Sequence, residues 1–366
     1  MTRGRSTIYE VARRSGVSTA TVSRAMRDGA GMSADTRDRV LAVAAELHWI
    51  PDGRARGLAT RRSGIVGVLF HDLGVSGDAE SESPLYLDEV IRGAERAATS
   101  AGDALLIAAT RGRSGRELAF SVAGKVDGLV ILARSVTAAD IRALAQTVPV
   151  VTVSTRDRGD PYDHVSVDNR GAMRALVEHL IVVHGYTDLV FVGGPARSPD
   201  SMERFGGYRD AMRAHRLPVL KTPDADGAFT EVGGSRAAST LLATRPPPKA
   251  IVCGNDEMAI GALSVLRTAK LNVPGDVAIT GFDDIASGRH VRPPLTTVHQ
   301  PMRDVGESAV SLLLQRIASP TAERQTVVLP TVTRIRRSCG CGSRRAAGGA
   351  DRSAHTTSTG RREKVA

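Results

Sequence analysis

A short stretch at residues 17–27, VSTATVSRAMR, carries side chains whose types and spacing suit contact with a nucleic acid. Val22 and Met26 are four residues apart, so in a helix both would face inward. Small residues let a helix approach base edges, hydroxyls bind phosphates, and arginine can bind guanine with two hydrogen bonds. The pattern predicts a DNA-reading helix, although an ordinary helical hairpin with a solvated face would show the same pattern. The residues left on the outer face are Thr19, Ala20, Ser23, Arg24 and Arg27.

Two further helices are predicted to hold that stretch in place. Thr7 and Glu10 have the spacing of a capping box at the start of a first helix, and Gly16 can end that helix in a left-handed conformation. Ser18 can then cap the second helix, and Ser33 can cap a third. The apolar residues predicted to form a small core between the three helices are Val11, Val17, Val22, Val40, Val43, Ala44 and Leu47.

The segment that follows, residues 51–62, permits two interpretations. Pro51 can begin a helix, but Gly53 and Gly57 each cost about 1 kcal/mol of helix propensity, so the segment should be largely unfolded alone. One interpretation is a flexible basic linker. The other is a hinge that folds on DNA and inserts Leu58 as an apolar wedge into the minor groove.

The charge of the chain is unevenly distributed. The formal net charge is +10; residues 1–62 hold twelve arginines against six acidic residues, and residues 334–366 hold nine basic residues against two acidic ones. The remaining middle of the chain is therefore mildly acidic. A basic head on an acidic body points to an anionic polymer as the partner of the head.

From Gly64 onward, apolar runs alternate with helical segments, which predicts doubly wound parallel sheets. Strands are predicted at residues 65–70, 104–109, 128–132, 148–153 and 164–168, and a second set at 188–194, 250–255 and 277–284. Two sets of this kind imply two lobes. Ligands of such folds lie at the carboxyl ends of the strands. The polar residues just beyond the predicted strands are His71, Asp72, Thr110, Arg134, Asn255, Asp256, Asp283 and Asp284.

The three cysteines indicate no disulfide framework. Cys339 and Cys341 lack, in the local sequence, the second pair of ligands that a zinc site needs, so neither a metal nor a cofactor is predicted. Cys253 ends an apolar run and is expected to be a buried thiol. Residues 339–366 have no apolar period and are predicted to form a disordered basic tail. The sequence shows no signal peptide and no run of about 18 apolar residues, which predicts a cytoplasmic protein without membrane contact.

Nine segments in order resemble the LacI/GalR family of bacterial transcriptional regulators. They include TIYEVARRSGVSTATVSRAMR, WIPDGRARGLATRRSGIVGVLF, KVDGLVIL, VSVDNRGAM, RFGGYRDAM and AIVCGNDEMAIGAL. The resemblance implies an N-terminal all-α helix-turn-helix domain, then an α/β sensor of two doubly wound parallel-sheet lobes similar to periplasmic binding proteins. The implied boundaries are 5–50 for the DNA-binding domain, 51–62 for the hinge, and 63–338 for the sensor.

The resemblance also implies roles for individual residues in DNA contact. Thr19, Ala20 and Arg24 match base-reading positions. Ser18, Thr21 and Ser23 match positions near the DNA backbone, and Thr7 is grouped with them. In the hinge, Leu58 matches the wedge and Ala55 the paired hinge helix. Asp52 departs from the family's usual asparagine, which would bring a carboxylate close to the phosphates.

In the sensor, Arg204 matches the family's main effector-contacting arginine. Asn255 and Asp283 match polar positions of the second lobe, Tyr86 matches an aromatic contact, and the predicted ligand set is completed by His71 and Arg134. A cation opposite amide and carboxylate groups offers donors and acceptors to a polyhydroxylated ligand. The segment GVSGDAESESPLY is longer and more acidic than the family's usual connection, which leaves the contacts between His71 and Tyr86 open.

The predicted function is a repressor or activator, dimeric or larger, that binds a pseudo-palindromic double-stranded DNA operator under the control of a small metabolite, most simply a sugar. An α/β enzyme is one alternative, but the sequence has no phosphate-cradling glycine motif and no nucleophile elbow. A free solute-binding protein is the other alternative, but it would need an export signal and no basic head.

Overall fold

The N-terminal domain consists of three short helices, and each begins at a capping side chain. The computed structural model describes residues 6–26, 31–50, 62–71, 84–110, 115–155 and 160–342. Thr7, Ser18 and Ser33 each accept a backbone N–H from three residues further on, and Gly16 ends the first helix at φ 68°. The three predicted N-caps and the glycine end of the first helix are therefore confirmed, but the return bond from Glu10 that would complete the predicted capping box is not formed. The helices are α1 (Ile8–Ser15), α2 (Thr19–Ala25) and α3 (Ala34–Glu46).

The small core between these helices is the one that the apolar spacing predicts. Val11, Val22 and Val40 are fully buried and belong to one cluster. Val17, Val43, Leu47 and Trp49 pack around it with part of their surface exposed. Side chains at helical spacing thus hold α2 against α1 and α3 and leave its other face to the solvent.

The first lobe is built on a six-stranded parallel sheet. Five of its strands come from the predicted region: β1 (Ile65–His71), β2 (Ala104–Thr110), β3 (Gly128–Leu132), β4 (Val150–Val153) and β5 (Asp163–Val167). Three helices of the same region pack on it: α4 (Pro84–Ser100), α5 (Gly115–Ala123) and α6 (Ala138–Leu144). Strands β3 and β4 are buried along their whole length, as expected for a sheet that is covered on both faces.

The second lobe has a smaller parallel sheet of four strands in the order β7-β6-β8-β9. Its strands are β6 (Leu189–Gly193), β7 (Ala225–Asp226), β8 (Ala250–Cys253) and β9 (Ala278–Thr280). Its helices are α7 (Asn169–His184), α8 (Pro199–Ala214), α9 (Glu231–Thr244), α10 (Asp256–Thr268) and α11 (Ala286–His290). The prediction of two parallel α/β lobes is confirmed, and Cys253 is fully buried as expected.

The chain returns to the first lobe after it has built the second. Helix α12 (Met302–Ala318) packs closely on α4: a Cβ on Gly93 would lie 1.9 Å from the carbonyl oxygen of Arg303. Strand β11 (Thr326–Leu329) then pairs in parallel with β5 at the edge of the first sheet. Strands β10 (Thr297–His299) and β12 (Val332–Arg334) form an antiparallel pair. The first lobe is therefore discontinuous in sequence, and these late elements were not predicted.

Residues 62–64, just before β1, are held mainly by the carboxylate of Asp127, and the Arg62 guanidinium also contacts Asp103 at 3.1 Å. Asp127, which directly precedes β3, accepts the backbone N–H groups of Ser63 and Gly64 at 2.5 and 2.9 Å. Its side chain also contacts the Arg62 guanidinium at 3.4 Å. Any chain segment that precedes residue 62 is therefore attached to a fixed point beside the start of β3.

Two segments predicted from the sequence, the hinge and the C-terminal tail, remain to be compared with the structure. The hinge residues 51–61, including Ala55 and Leu58, lie outside the described residues. The predicted disordered tail is wrong at its start, because Cys339 is fully buried in the core of the second lobe and Cys341 packs at its edge. The prediction failed because these residues are covered by elements far away in the sequence. Within the described ranges, every helix is too short or too polar to cross a membrane.

The neighbourhood of these cysteines also corrects the ligand count made from the sequence. Cys339 and Cys341 lie beside two imidazoles of α7, His179 and His184, and the four side chains form one cluster. The second pair of metal-binding side chains therefore exists. It was missed because it precedes the cysteines by more than 150 residues.

Candidate nucleic-acid interface and effector cleft

Helix α2 presents the predicted outer face to the solvent. Ala20, Ser23 and Arg24 are exposed, whereas Thr19 and Thr21 are half-buried. On the opposite side, Val22 and Ala25 are buried. The structure thus leaves a narrow strip of small and cationic side chains available to a partner.

Two of the predicted DNA-binding residues have a visible structural role. Ser18 accepts the backbone N–H of Thr21 at 3.1 Å, and the hydroxyls of the two residues lie 2.9 Å apart. Thr7 accepts the backbone N–H of Glu10 at 3.4 Å. Both hydroxyls shape the starts of helices. Their contact with DNA remains a prediction, and Arg27 lies outside the described residues.

The second candidate site is a cleft between the lobes, and its centre is the guanidinium of Arg204. Arg204, on α8, is only 3% exposed. Its Nη1 donates to the carbonyl oxygen of Gly254 at 2.7 Å and to Asp283 Oδ1 at 3.2 Å. Its Cζ lies 3.8 Å from the centroid of the Phe282 ring. A buried cation is tolerated here because carboxylate, carbonyl and aromatic partners replace its water.

Asn169 joins Arg204 to a second carboxylate. The Asn169 side chain accepts from Arg204 Nε at 2.8 Å and donates to Asp200 Oδ1 at 2.8 Å. Burial raises the pKa of Asp200, whereas Arg204 and hydrogen bonds from Ser154 and Asn169 act to lower it. Since Ser154 follows β4 of the first lobe, this carboxylate is contacted from both lobes.

Asp283 lies on the other side of the guanidinium and has an unusual proton affinity. It accepts from Gln300 Nε2 at 2.6 Å as well as from Arg204. Burial raises its pKa to about 6, an effect that Arg204 and Gln300 oppose. Its backbone has φ 115°, which is strained for a residue with a side chain. Such strain persists only where the surrounding structure enforces it, and it often marks ligand sites.

The wall contributed by the first lobe is formed by Tyr86 of α4 and Ser154 after β4. Their hydroxyls lie 3.1 Å apart. Ser154 has φ 53°, and Phe229 of the second lobe has φ 61°, so two more residues of the cleft adopt the left-handed conformation. The cleft between these walls is narrow, with a free volume of about 30 Å³. The polar residues that line it are Tyr86, Ser154, Ser198, Asp200, Arg204, Asn255, Asp283 and Gln300.

Asn255 lines the cleft but directs its side chain at the backbone. It caps α10 by accepting the N–H of Met258 at 3.0 Å, and it donates to the carbonyl oxygen of Phe229 at 3.0 Å. These bonds hold the Phe229 ring at the cleft, where it lies 5.8 Å from the Arg204 Cζ. Direct contact of Asn255 with a ligand remains a prediction.

The structure divides the six predicted ligand residues between two clefts. Tyr86, Arg204, Asn255 and Asp283 line the same one. His71 and Arg134 line a neighbouring, more open cleft, together with residues of both lobes such as Thr110 and Asp226. Several residues of the Arg204 cleft were not identified from the sequence, although the VSVDNRGAM and RFGGYRDAM segments pointed to their surroundings; they are Asn169, Asp200, Ser154, Phe229 and Gln300.

Comparison with known proteins finds relatives of both parts of the chain. Residues 7–52 match the sequence model for bacterial regulatory proteins of the lacI family, and residues 177–339 match a periplasmic binding protein-like domain. The chain is 33% identical to the ribose operon repressor of Escherichia coli K12, over 89% of this chain and 97% of that protein. The chain belongs to the lacI family. It is a DNA-binding transcription regulator, as the three-helix domain and the two-lobed sensor indicate.

Two solved structures of transcriptional regulators share this architecture. One is the Lac repressor dimer bound to operator and the anti-inducer ONPF, with 25% identity, a TM-score of 0.79, and coverage of 92% of this chain and 99% of that chain. The other is a complex of the transcriptional regulator CelR with cellobiose, with 29% identity, a TM-score of 0.67, and coverage of 91% and 100%.

Proposed function

We propose that this lacI-family regulator is a homodimeric repressor that binds a pseudo-palindromic operator and is controlled by a small polyhydroxylated metabolite. The domain boundaries are those inferred from the sequence: 5–50 for DNA binding, 51–62 for the hinge, and a sensor that begins at 63. The solved Lac repressor, a dimer on its operator, supports the assembly. Because its partner is chromosomal DNA, we place the protein in the cytoplasm.

On the DNA side, α2 lies in the major groove of each half-site. Arg24 then reads guanine, while Thr19 and Ala20 allow close approach to the base edges. The hydroxyls of Ser18, Thr21 and Ser23, with Thr7, lie near the phosphates. Between the half-sites, the two hinge segments pair in the minor groove, where Leu58 is the wedge and Ala55 the contact between hinges. The exposure of Ala20, Ser23 and Arg24 supports this docking.

On the effector side, the observation that carries the proposal is the Arg204 cleft between the lobes. It combines donors on Arg204 and Gln300 with carboxylate oxygens on Asp200 and Asp283. A ligand with several hydroxyls can both donate to and accept from such groups, and the Phe229 ring offers an apolar surface. The cellobiose complex of CelR supports a carbohydrate as the ligand class.

The hydrogen bonds from residues 63 and 64 to Asp127 suggest how the cleft controls the hinge. A ligand that contacts both Ser154 and Asp200 changes how the lobes meet. Since Asp127 fixes residues 62–64 to the first lobe, a rotation of that lobe changes the separation of the two hinges in a dimer. A coupling free energy of about 1 to 3 kcal/mol would suffice for regulation. The protein therefore acts by binding, and we assign it no catalytic step.

The test is a thermal-shift screen of sugars, sugar phosphates and nucleobases, followed by operator titrations with each compound that raises the melting temperature. We expect a sugar to stabilise the wild type but not an Arg204→Lys variant, and to change the operator affinity by about 5- to 150-fold. A compound that binds without changing operator affinity would contradict the allosteric part. Operator binding without response to any sugar would contradict the ligand class.

A further inference from the structure

A second group of chemically reactive side chains lies away from the cleft, at the end of α7. Cys341 Sγ is 3.4 Å from His184 Nε2 and 3.6 Å from His179 Nε2. Cys339 Sγ is 3.8 Å from His179 Nε2. All four ligand atoms lie within 4.8 Å of one another. Two thiols and two imidazoles therefore converge on one point.

The backbone is shaped to bring the two halves of this cluster together. His184 ends α7, and Gly185 turns the chain with φ 68°. In the C-terminal segment, Gly340 has φ 110° and faces His184. A Cβ on Gly340 would lie 3.1 Å from His184 Nδ1. Only glycine combines this conformation with this close approach. The Gly340 position therefore lets both flanking cysteines face α7.

Neighbouring contacts fix the orientation of the same groups. Tyr186 donates its hydroxyl to the carbonyl oxygen of Cys339 at 3.1 Å, and its ring stacks on that of His184 with centroids 5.2 Å apart. Ser338 accepts the Thr296 N–H at 2.8 Å and donates to the Ile279 carbonyl at 2.6 Å. Hydrogen bonds to Cys339 and to the preceding residue, Ser338, thus fix the cysteine segment without the help of a metal ion.

The spacing of the ligand atoms fits tetrahedral zinc. Zinc–sulfur and zinc–nitrogen bonds of about 2.3 and 2.0–2.1 Å place tetrahedral sulfur and nitrogen ligands about 3.6 Å apart. The three sulfur–nitrogen distances, 3.4, 3.6 and 3.8 Å, lie around that value. Thiolate and imidazole ligands together favour zinc over magnesium or calcium, which prefer oxygen.

We propose that His179, His184, Cys339 and Cys341 bind one Zn²⁺ ion in a closed, structural site. Four protein ligands leave no open position for water or substrate, so the ion performs no catalysis. It cross-links residues 339–341 to the end of α7. The site is independent of the effector cleft, and it stabilises the second lobe.

The experiment measures the metal content of the full chain, purified with a thiol reductant and without chelator. We expect one zinc per chain in the wild type and substoichiometric zinc in the Cys341→Ser and His184→Gln variants. Matched controls are Cys253→Ala, which removes the remaining cysteine from a different core, and His215→Gln, which removes an exposed imidazole. Both controls should retain one zinc.

A second measurement does not depend on the folding of the variants. Titration of Co²⁺ into metal-stripped wild type should give the absorption of a tetrahedral thiolate complex, and Zn²⁺ should abolish it. A strong chelator should lower the melting temperature of the wild type but not that of Cys341→Ser. Wild-type protein that takes up neither ion under reducing conditions would overturn the proposal. So would a Cys339–Cys341 disulfide in freshly purified protein, or equal zinc in wild type and Cys341→Ser.

Discussion

Arg24 and Arg204 carry the same guanidinium group in opposite settings. Arg24 is exposed on α2 and keeps its hydration until a partner arrives. Arg204 is almost completely buried, and its water is already replaced by Asn169, Gly254 and Asp283. The comparison teaches that an exposed binding residue has little effect on the stability of the fold. A binding residue in a cleft is also part of the structure that holds the cleft together.

The largest effect that this comparison predicts concerns Arg204→Ala. The substitution leaves the carboxylates of Asp200 and Asp283 buried without their cation, so we expect the free energy of unfolding to fall by about 3–5 kcal/mol. Urea unfolding would measure the change. The matched control is Arg174→Ala, which breaks an exposed pair with Glu178 and should cost less than about 1 kcal/mol. A similar small loss in Arg204→Ala would show that the cleft does not depend on its cation.

Arg24→Ala should lower the affinity for DNA and leave the stability of the fold unchanged. We expect operator binding to weaken by about 1–3 kcal/mol for each half-site, because one bidentate base contact is lost, with no change in unfolding. Fluorescence anisotropy with labelled operator would measure it. Arg213→Ala removes an exposed charge from the second lobe and serves as the control. Operator affinity equal to that of the wild type would mean that α2 is not the reading helix.

The buried setting also predicts a pH dependence at Asp283. Its pKa of about 6 exceeds the ordinary value of 3.8, so between these pH values the folded state binds a proton that the unfolded state has released. This group therefore favours folding as the pH falls through that window. We expect the free energy of unfolding of Asp283→Asn, relative to wild type, to rise with pH by up to about 1.4 kcal/mol per unit between pH 4 and 6.

Urea unfolding at a series of pH values would measure this slope. Asp304→Asn, which removes an exposed carboxylate, controls for the loss of one charge. A flat difference between Asp283→Asn and wild type from pH 4 to 7 would place Asp283 in a more hydrated setting than the structure shows.

The smallest predicted effect concerns the local scaffold of Arg24. Ser18→Ala removes the N-cap of α2, and we expect the helix to lose about 1 kcal/mol of stability. Amide hydrogen exchange of Val22 and Arg24 would report it as faster exchange. Ser23→Ala changes an exposed hydroxyl of the same helix without removing the cap. Equal exchange in both variants would show that the core, rather than the cap, fixes α2.

The two settings also differ in how far the sequence predicts them. The face of α2 follows from local spacing and local caps, so the orientation of Val22 and the exposure of Arg24 could be predicted. The parallel strands that are buried on both faces could also be predicted, because each is a run of apolar residues. The contacts of Arg204 join residues as far apart as 169 and 283, and a single sequence carries no direct signal for such contacts.

Resemblance to a family identified Arg204, Asp283 and Tyr86, but not the residues that support them. Asn169 and Asp200 are ordinary polar residues at the starts of helices, and only the packing of α7 against α8 brings them to Arg204. The same limit explains why the cluster of cysteines and histidines was missed. From the local sequence the CGC segment is predicted to be part of a tail, and only the fold places two histidines beside it.

The discontinuous first lobe has a consequence for synthesis on the ribosome. Its sheet gains β11, and its helix layer gains α12, only from residues 302–329. Five strands that are complete by residue 167 must therefore wait for the remaining half of the translation product before their core can close. At about 5–20 residues per second, that wait lasts on the order of ten seconds or more. A nonsense mutation near codon 300 would thus damage the part of the protein that was made first.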